Sequence, residues 1–89
     1  MQFIDHAQGT QAMLGSTLVG IMRVGHTGEV SVVRLMIRSR DGDLVVTGFE
    51  GDEIAIPGDG SALVGAATAP DEISPRWRIA LAHRPSQTP

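Results

Sequence analysis

Between Thr17 and Glu50 the chain alternates with a period of two through three segments, Thr17–Val24, Glu29–Ser39 and Leu44–Glu50. Only Gly25-His26-Thr27-Gly28 and Arg40-Asp41-Gly42-Asp43 separate them. Successive side chains of a strand point to opposite faces, so this pattern commits each segment to a half-buried strand. Connections so short join antiparallel neighbours, because a parallel return needs a dozen residues or more. The middle segment is the strongest: Val33, Leu35 and Ile37 alternate with Val32, Arg34, Met36 and Arg38, and its β-branched residues suit a pleated surface.

The turns set the register. Asp41-Gly42 reads as a type I′ turn, which pairs Arg40 with Asp43, Arg38 with Val45, Ile37 with Val46 and Arg34 with Phe49. A four-residue loop at 25–28 sets Leu18 opposite Leu35 and Ile21 opposite Val32. One face then carries Leu18, Gly20, Met22, Val33, Leu35, Ile37, Leu44 and Val46, the expected core side. The other carries Val19, Ile21, Arg23, Val32, Arg34, Met36, Arg38, Val45, Thr47 and Phe49. A slip of one residue in either hairpin would mix the two sets.

Outside the meander the signals are shorter. Over Met1–Ser16, Ile4, Ala7, Gln11 and Leu14 recur at helical spacing, broken by Gly9 and Thr10. This predicts a short N-terminal helix or an irregular arm, with an edge strand at Gln2–Asp5 as the alternative. Ile54–Ile56 is a short strand stopped by Pro57, and Ala62–Thr68 a fifth strand weakened by Gly65. Arg76–Arg84 alternates sharply, with Trp77, Ile79, Leu81 and His83 on the core side. The tail 85–89 is expected to be disordered. Residues 17–84 therefore form a single mainly β domain, a small antiparallel five- to six-stranded barrel or sandwich of SH3-like or OB-like architecture.

Composition narrows the functions. With 89 residues the core is thin. There is no cysteine, which excludes disulfides and thiolate metal sites and fits a cytoplasmic location. The N-terminus lacks the basic and apolar regions of a secretory signal, and the apolar run Ala62–Ala69 is too short for a bilayer, so no membrane association is expected. Lys, Asn and Tyr, whose codons begin with two A/T bases, are all missing. That points to a GC-rich bacterial or phage genome and explains why Arg does all the basic work. The net charge of −3 does not favour a polyanion binder.

Chemical motifs are incomplete. Gly60-Ser61-Ala62-Leu63-Val64-Gly65 has the glycine spacing of a phosphate-binding loop, but Ala66 and Ala67 stand where Lys and Ser/Thr are needed. Asp41-Gly42-Asp43 opens like a calcium loop, but Val45 and Val46 take the following ligand and glycine positions. His6, His26 and His83 are scattered without metal-ligand spacing. Ser31, His26 and Asp52 are the residue types of a hydrolytic triad with no motif around them. No catalytic residue, metal or cofactor is assigned, and the chain is read as non-catalytic.

Two basic surfaces remain. Arg23, Arg34 and Arg38 share the non-core face of the meander with Val32, Met36 and Phe49. Such a mixture suits a protein interface, where Arg, Met and aromatics are enriched, and Arg34 facing Phe49 would make a cation–π pair. Alternatively this face closes onto the rest of a barrel, with the Arg stems snorkelling to its rim. Arg76, Arg78 and Arg84 line one side of the last strand, separated by Ala80 and Ala82. They offer a flat cationic ribbon to an acidic protein or to phosphates, or a solvated face balanced by the acidic turns. The expected role is a small bacterial or phage protein-binding module (a regulator, inhibitor or assembly factor) that engages a protein partner through these arginines and self-associates through open sheet edges. The alternative is a small-barrel nucleic-acid binder. Its base-stacking aromatics would have to come from Phe3, Phe49 and Trp77.

Overall fold

The computed structural model describes residues 1–86. The part of the expected disordered tail over 87–89 lies outside the described residues. Eight strands make up the fold: β1 Phe3–Ala7, β2 Gln11–Leu14, β3 Thr17–Thr27, β4 Val30–Ser39, β5 Gly42–Phe49, β6 Glu53–Ala55, β7 Ser61–Thr68 and β8 Arg78–Arg84. They form two antiparallel four-stranded sheets, ordered β2-β3-β4-β5 and β1-β8-β7-β6. The sheets lie over one core and do not close into a barrel. The mainly β architecture agrees with the sequence, whereas the strand count is higher than five or six.

The N-terminal segment contains strands and no helix. Ile4, Ala7, Gln11 and Leu14 recur at helical spacing, but tertiary pairing overrides it. β1 pairs with β8 and β2 with β3, so the first sixteen residues supply an edge to each sheet. Ala7–Thr10 is the crossover, with Gly9 at φ 87° and its N–H donating to the Ile21 carbonyl at 2.7 Å.

The first hairpin of the meander is tighter than its expected form, and the second keeps a two-residue loop that lies one residue earlier. The β3–β4 loop is the two-residue Gly28-Glu29, because Thr27 pairs with Val30. The β4–β5 loop is Arg40-Asp41, because Ser39 pairs with Gly42. In the second hairpin the register slips by two residues, an even number, so every side chain keeps its expected face. Arg34 therefore meets Thr47, and Phe49 meets Val32.

In the first hairpin the sides exchange. Val19 faces Ile37 and Ile21 faces Leu35, all fully buried, while Leu18 and Gly20 lie on the outer side opposite the β2 and β4 outer rows. A bulge between Ile21 and Arg23 then inserts Met22, which is exposed. An extra residue reverses the phase of a strand. Arg23 consequently stays outside opposite Arg34, and Val24 turns inward opposite Val33. Val19 and Ile21 thus belong to the core, and Leu18 and Met22 do not.

Val19, Ile21, Val33, Leu35 and Ile37 from one sheet meet Ile54, Ile56, Val64, Ile79 and Leu81 from the other. At about 25 cal/mol per Å² of apolar surface removed from water, such a cluster supplies most of the driving force for folding. Gly48 lets the layers approach: a Cβ there would stand 2.6 Å from Ile54 Cδ1. Ser31, buried among these residues, ties the sheets by accepting the Ala67 N–H at 2.8 Å. Ala67 ends a second bulge, between Val64 and Ala67 in β7. The flank between β5 and β6 is open, and Leu44, expected in the core, is 47% exposed there.

Candidate functional site: an arginine-bearing sheet face

The outer face of the β2–β5 sheet brings Arg23, Arg34, Arg38 and Phe49 together. Arg34 is the hub, opposite Arg23 on β3 and Thr47 on β5. Around it stand Val32, Met36, Val45 and Phe49, with Phe49 43% and Val45 55% exposed. Nothing among the described residues covers this face, so it is not the inner wall of a barrel. Arg38 lies one pair from the β4–β5 turn and reaches Asp43 at 3.7 Å. Arg23 and Arg34 have no carboxylate within ion-pair distance among the described residues. Like charges directly across a strand pair are destabilising, so the fold carries an uncompensated cationic pair in an apolar setting.

The second expected surface is differently composed. Arg76 precedes β8 and is exposed, so it does not extend a strand ribbon. Arg78 and Arg84 share a face, and each has its own acid. Arg84 meets Glu53 at 2.9 Å and Arg78 meets Asp71 at 3.6 Å. Glu53 also accepts from Ser61 Oγ at 2.6 Å. Hydrogen bonds from the Ser74 and Ile73 N–H groups, with a smaller contribution from Arg78, hold the Asp71 carboxyl below its usual range. Between the two arginines, Ala80 and the Phe3 ring both stand against Gly65. The charges of this face are largely matched from within the chain.

A hollow of about 760 Å³ lies at one end of the sheets, lined by Thr17, Arg38, Arg40 and Asp59 among others. Of its two carboxylates, Asp41 and Asp59, the second is engaged: Asp59 Oδ2 accepts from Thr17 Oγ1 at 2.5 Å and from Ser16 Oγ at 3.1 Å. These contacts, Thr17 first and then the Ser16 backbone, lower the Asp59 pKa. His83 Nε2 donates to the Asp59 carbonyl at 2.7 Å. His26 stands edge-on to Trp77 with centroids 5.1 Å apart. His6 lies opposite Ile79, and burial lowers its pKa against the opposing effect of Asp5. His26 lies opposite Ser31 across β3 and β4, but no hydrogen bond among the described residues links Ser31, His26 and Asp52. Ser31 is buried against Ala67, and Asp52 Oδ2 accepts the Phe49 N–H at 2.8 Å. The glycines of the phosphate-loop lookalike have packing roles: a Cβ at Gly60 would meet the Arg84 carbonyl, and one at Gly65 the Phe3 ring.

Sequence reasoning placed Arg23, Arg34 and Arg38 on one face but missed the bulge that moves Val19 and Ile21 from that face into the core. A break in alternation at Met22-Arg23-Val24 is its only trace. Comparison with family models, with curated proteins and with solved structures gives no match, so the functional argument rests on the geometry of these faces.

Proposed function

We propose that this protein is a small non-catalytic binding module whose working surface is the outer face of the β2–β5 sheet, engaging a partner protein that presents carboxylates beside apolar side chains. One observation carries the reading: Arg23 and Arg34 are direct cross-strand neighbours with no ion-paired acid among the described residues, set among exposed Val45 and Phe49. A planar guanidinium binds a carboxylate through two parallel hydrogen bonds and is weakly hydrated, which suits it to apolar interfaces. Two such groups side by side favour an acidic ligand by relieving their own repulsion. The self-matched charges of Arg78 and Arg84 make the opposite sheet the weaker candidate.

A role as a regulator, inhibitor or assembly factor of a bacterial or phage system fits a module of this kind. The test is affinity capture from a lysate of the source cell, comparing the wild type with the Arg23→Ala/Arg34→Ala protein. A partner retained by the first and lost by the second is the expected result, with both proteins equally folded by circular dichroism. Equal retention by both removes this surface from consideration. A mobility shift of DNA or RNA that weakens steeply with salt would instead assign the arginines to phosphates.

A further inference from the structure

The four sheet edges are not equivalent. β2 has four residues, β6 has three and is followed by Pro57, and β1 carries Asp5. Short length, proline and charge are the usual means of blunting an edge. β5 has a charge, Asp43, only next to its turn. It runs for eight residues, and Leu44–Phe49 contains no charge, proline or bulge. Its hydrogen-bonding phase follows from the hairpin. A two-residue loop makes Ser39 and Gly42 a hydrogen-bonded pair, so Asp43, Val45, Thr47 and Phe49 turn their N–H and C=O groups away from β4. Phe49 confirms the phase: its N–H donates to Asp52 Oδ2 and its C=O accepts from the Asp52 N–H. The outward groups of Asp43, Val45 and Thr47 face the open side of the edge, which no described strand covers.

We propose that the occupant of this edge is a second copy of the chain, paired antiparallel through β5 about a twofold axis at Val45. The register is chosen by charge. With the axis there, Val45 meets its own counterpart, Leu44 meets the second copy's Val46, and Thr47 meets the second copy's Asp43. Arg34, beside Thr47 on β4, is then one small side chain away from that carboxylate. The molecule already spans a strand in a comparable way: Arg84 lies opposite Ser61 and reaches Glu53, diagonal to it on β6, at 2.9 Å. An axis at Val46 would put the second copy's Val45 beside Thr47 in the Arg34 row. An axis at Thr47 would aim the two Arg34 residues at each other. An axis at Leu44 would leave only Gly42–Val46 paired.

Two further gains follow. The inward-facing Leu44 and Val46 line a hollow of about 480 Å³ at the open flank, together with Ile54 and Pro57, and pairing sets each of them beside an apolar neighbour from the other copy. Pairing also joins the two outer faces into one continuous eight-stranded surface that leaves Arg23 unmatched. The dimer goes beyond the functional reading: it engages Arg34 at the seam and leaves Arg23 of each copy for a partner's carboxylate.

Sedimentation equilibrium decides it. The 9.4 kDa chain is expected to sediment at twice its mass at about 100 µM, a concentration that reveals even weak pairing. Val45→Lys sets two like charges against each other at the axis and is expected to raise the dissociation constant at least about tenfold. Val45→Pro removes an outward N–H that the monomer does not use, and is expected to do the same. If the proline variant does not fold, the lysine variant alone decides. Arg34→Glu is expected to weaken the dimer, and adding Asp43→Arg to restore it. A wild-type monomer, with or without affinity for another protein's strand, overturns the proposal. So does a dimer indifferent to Val45→Lys, or a double charge swap no better than the single one. Capture by Arg23 and Arg34 is read separately, so failure of either proposal leaves the other standing.

Discussion

Arg23 and Arg34 face each other directly across β3 and β4, two guanidinium groups on one sheet surface with no carboxylate of the described residues in reach. Such an arrangement costs stability, so removing one charge should strengthen the fold. Arg23→Thr is expected to raise the unfolding free energy by about 0.2–1 kcal/mol, measured by urea denaturation, while weakening partner capture. A destabilised variant would mean that Arg23 supports the fold through its stem.

The bulge at Met22 makes a sharp contrast between adjacent positions. Ile21 is 1% exposed and Met22 46% exposed. Ile21→Ala should cost about 2–5 kcal/mol through lost burial and a residual cavity. Met22→Ala should change stability by no more than about 0.5 kcal/mol. The reverse order in thermal or urea melts would show that the strand faces are exchanged.

At Gly48 the sheets approach so closely that a methyl group meets both Ile54 and Val64, at 2.6 and 3.1 Å. Gly48→Ala must push the Ile54 side chain or the β5 backbone aside. Overpacking of this kind costs about 1–3 kcal/mol, and the midpoint of chemical denaturation should fall accordingly. Gly25→Ala, with nothing near its Cβ position, is the control and should not show that loss.

The hydrogen bonds to Asp59 predict a pH dependence. Its folded pKa lies below the ordinary 3.8, so the folded state favours the carboxylate more than the unfolded chain does. The resulting stabilisation is fully present above that ordinary value and is lost as pH falls through it towards the lower folded value. Asp59→Asn should therefore flatten the decline in stability below about pH 4, followed by thermal melts across an acid series. An unchanged acid profile would show that the Thr17 contact does not act on the carboxyl group.

Much of this architecture is legible in the chain. Val33, Leu35 and Ile37 alternate with Arg34, Met36 and Arg38, and that alternation fixes which side of β4 is buried whatever the neighbouring strands do. The tight connections make the meander antiparallel. Arg34 and Arg38 are therefore readable as one surface from their spacing alone, and an even slip in the β4–β5 hairpin leaves that unchanged.

Tertiary structure decided the rest, for identifiable reasons. Whether Leu18 or Val19 turns inward depends on where the β3–β4 loop closes and on one inserted residue, and both alternatives satisfy a period of two equally well. Packing selects Val19, Ile21 and Val24, because a bulge buries all three while leaving Arg23 in water. The sequence offered the edge strand at Phe3–Ala7 only as an alternative, over Gln2–Asp5, and gave no sign of the one at Gln11–Leu14. They exist because β8 and β3 offer unpaired backbone groups, and hydrogen-bonding demand of that kind is met by whichever chain segment the fold brings alongside.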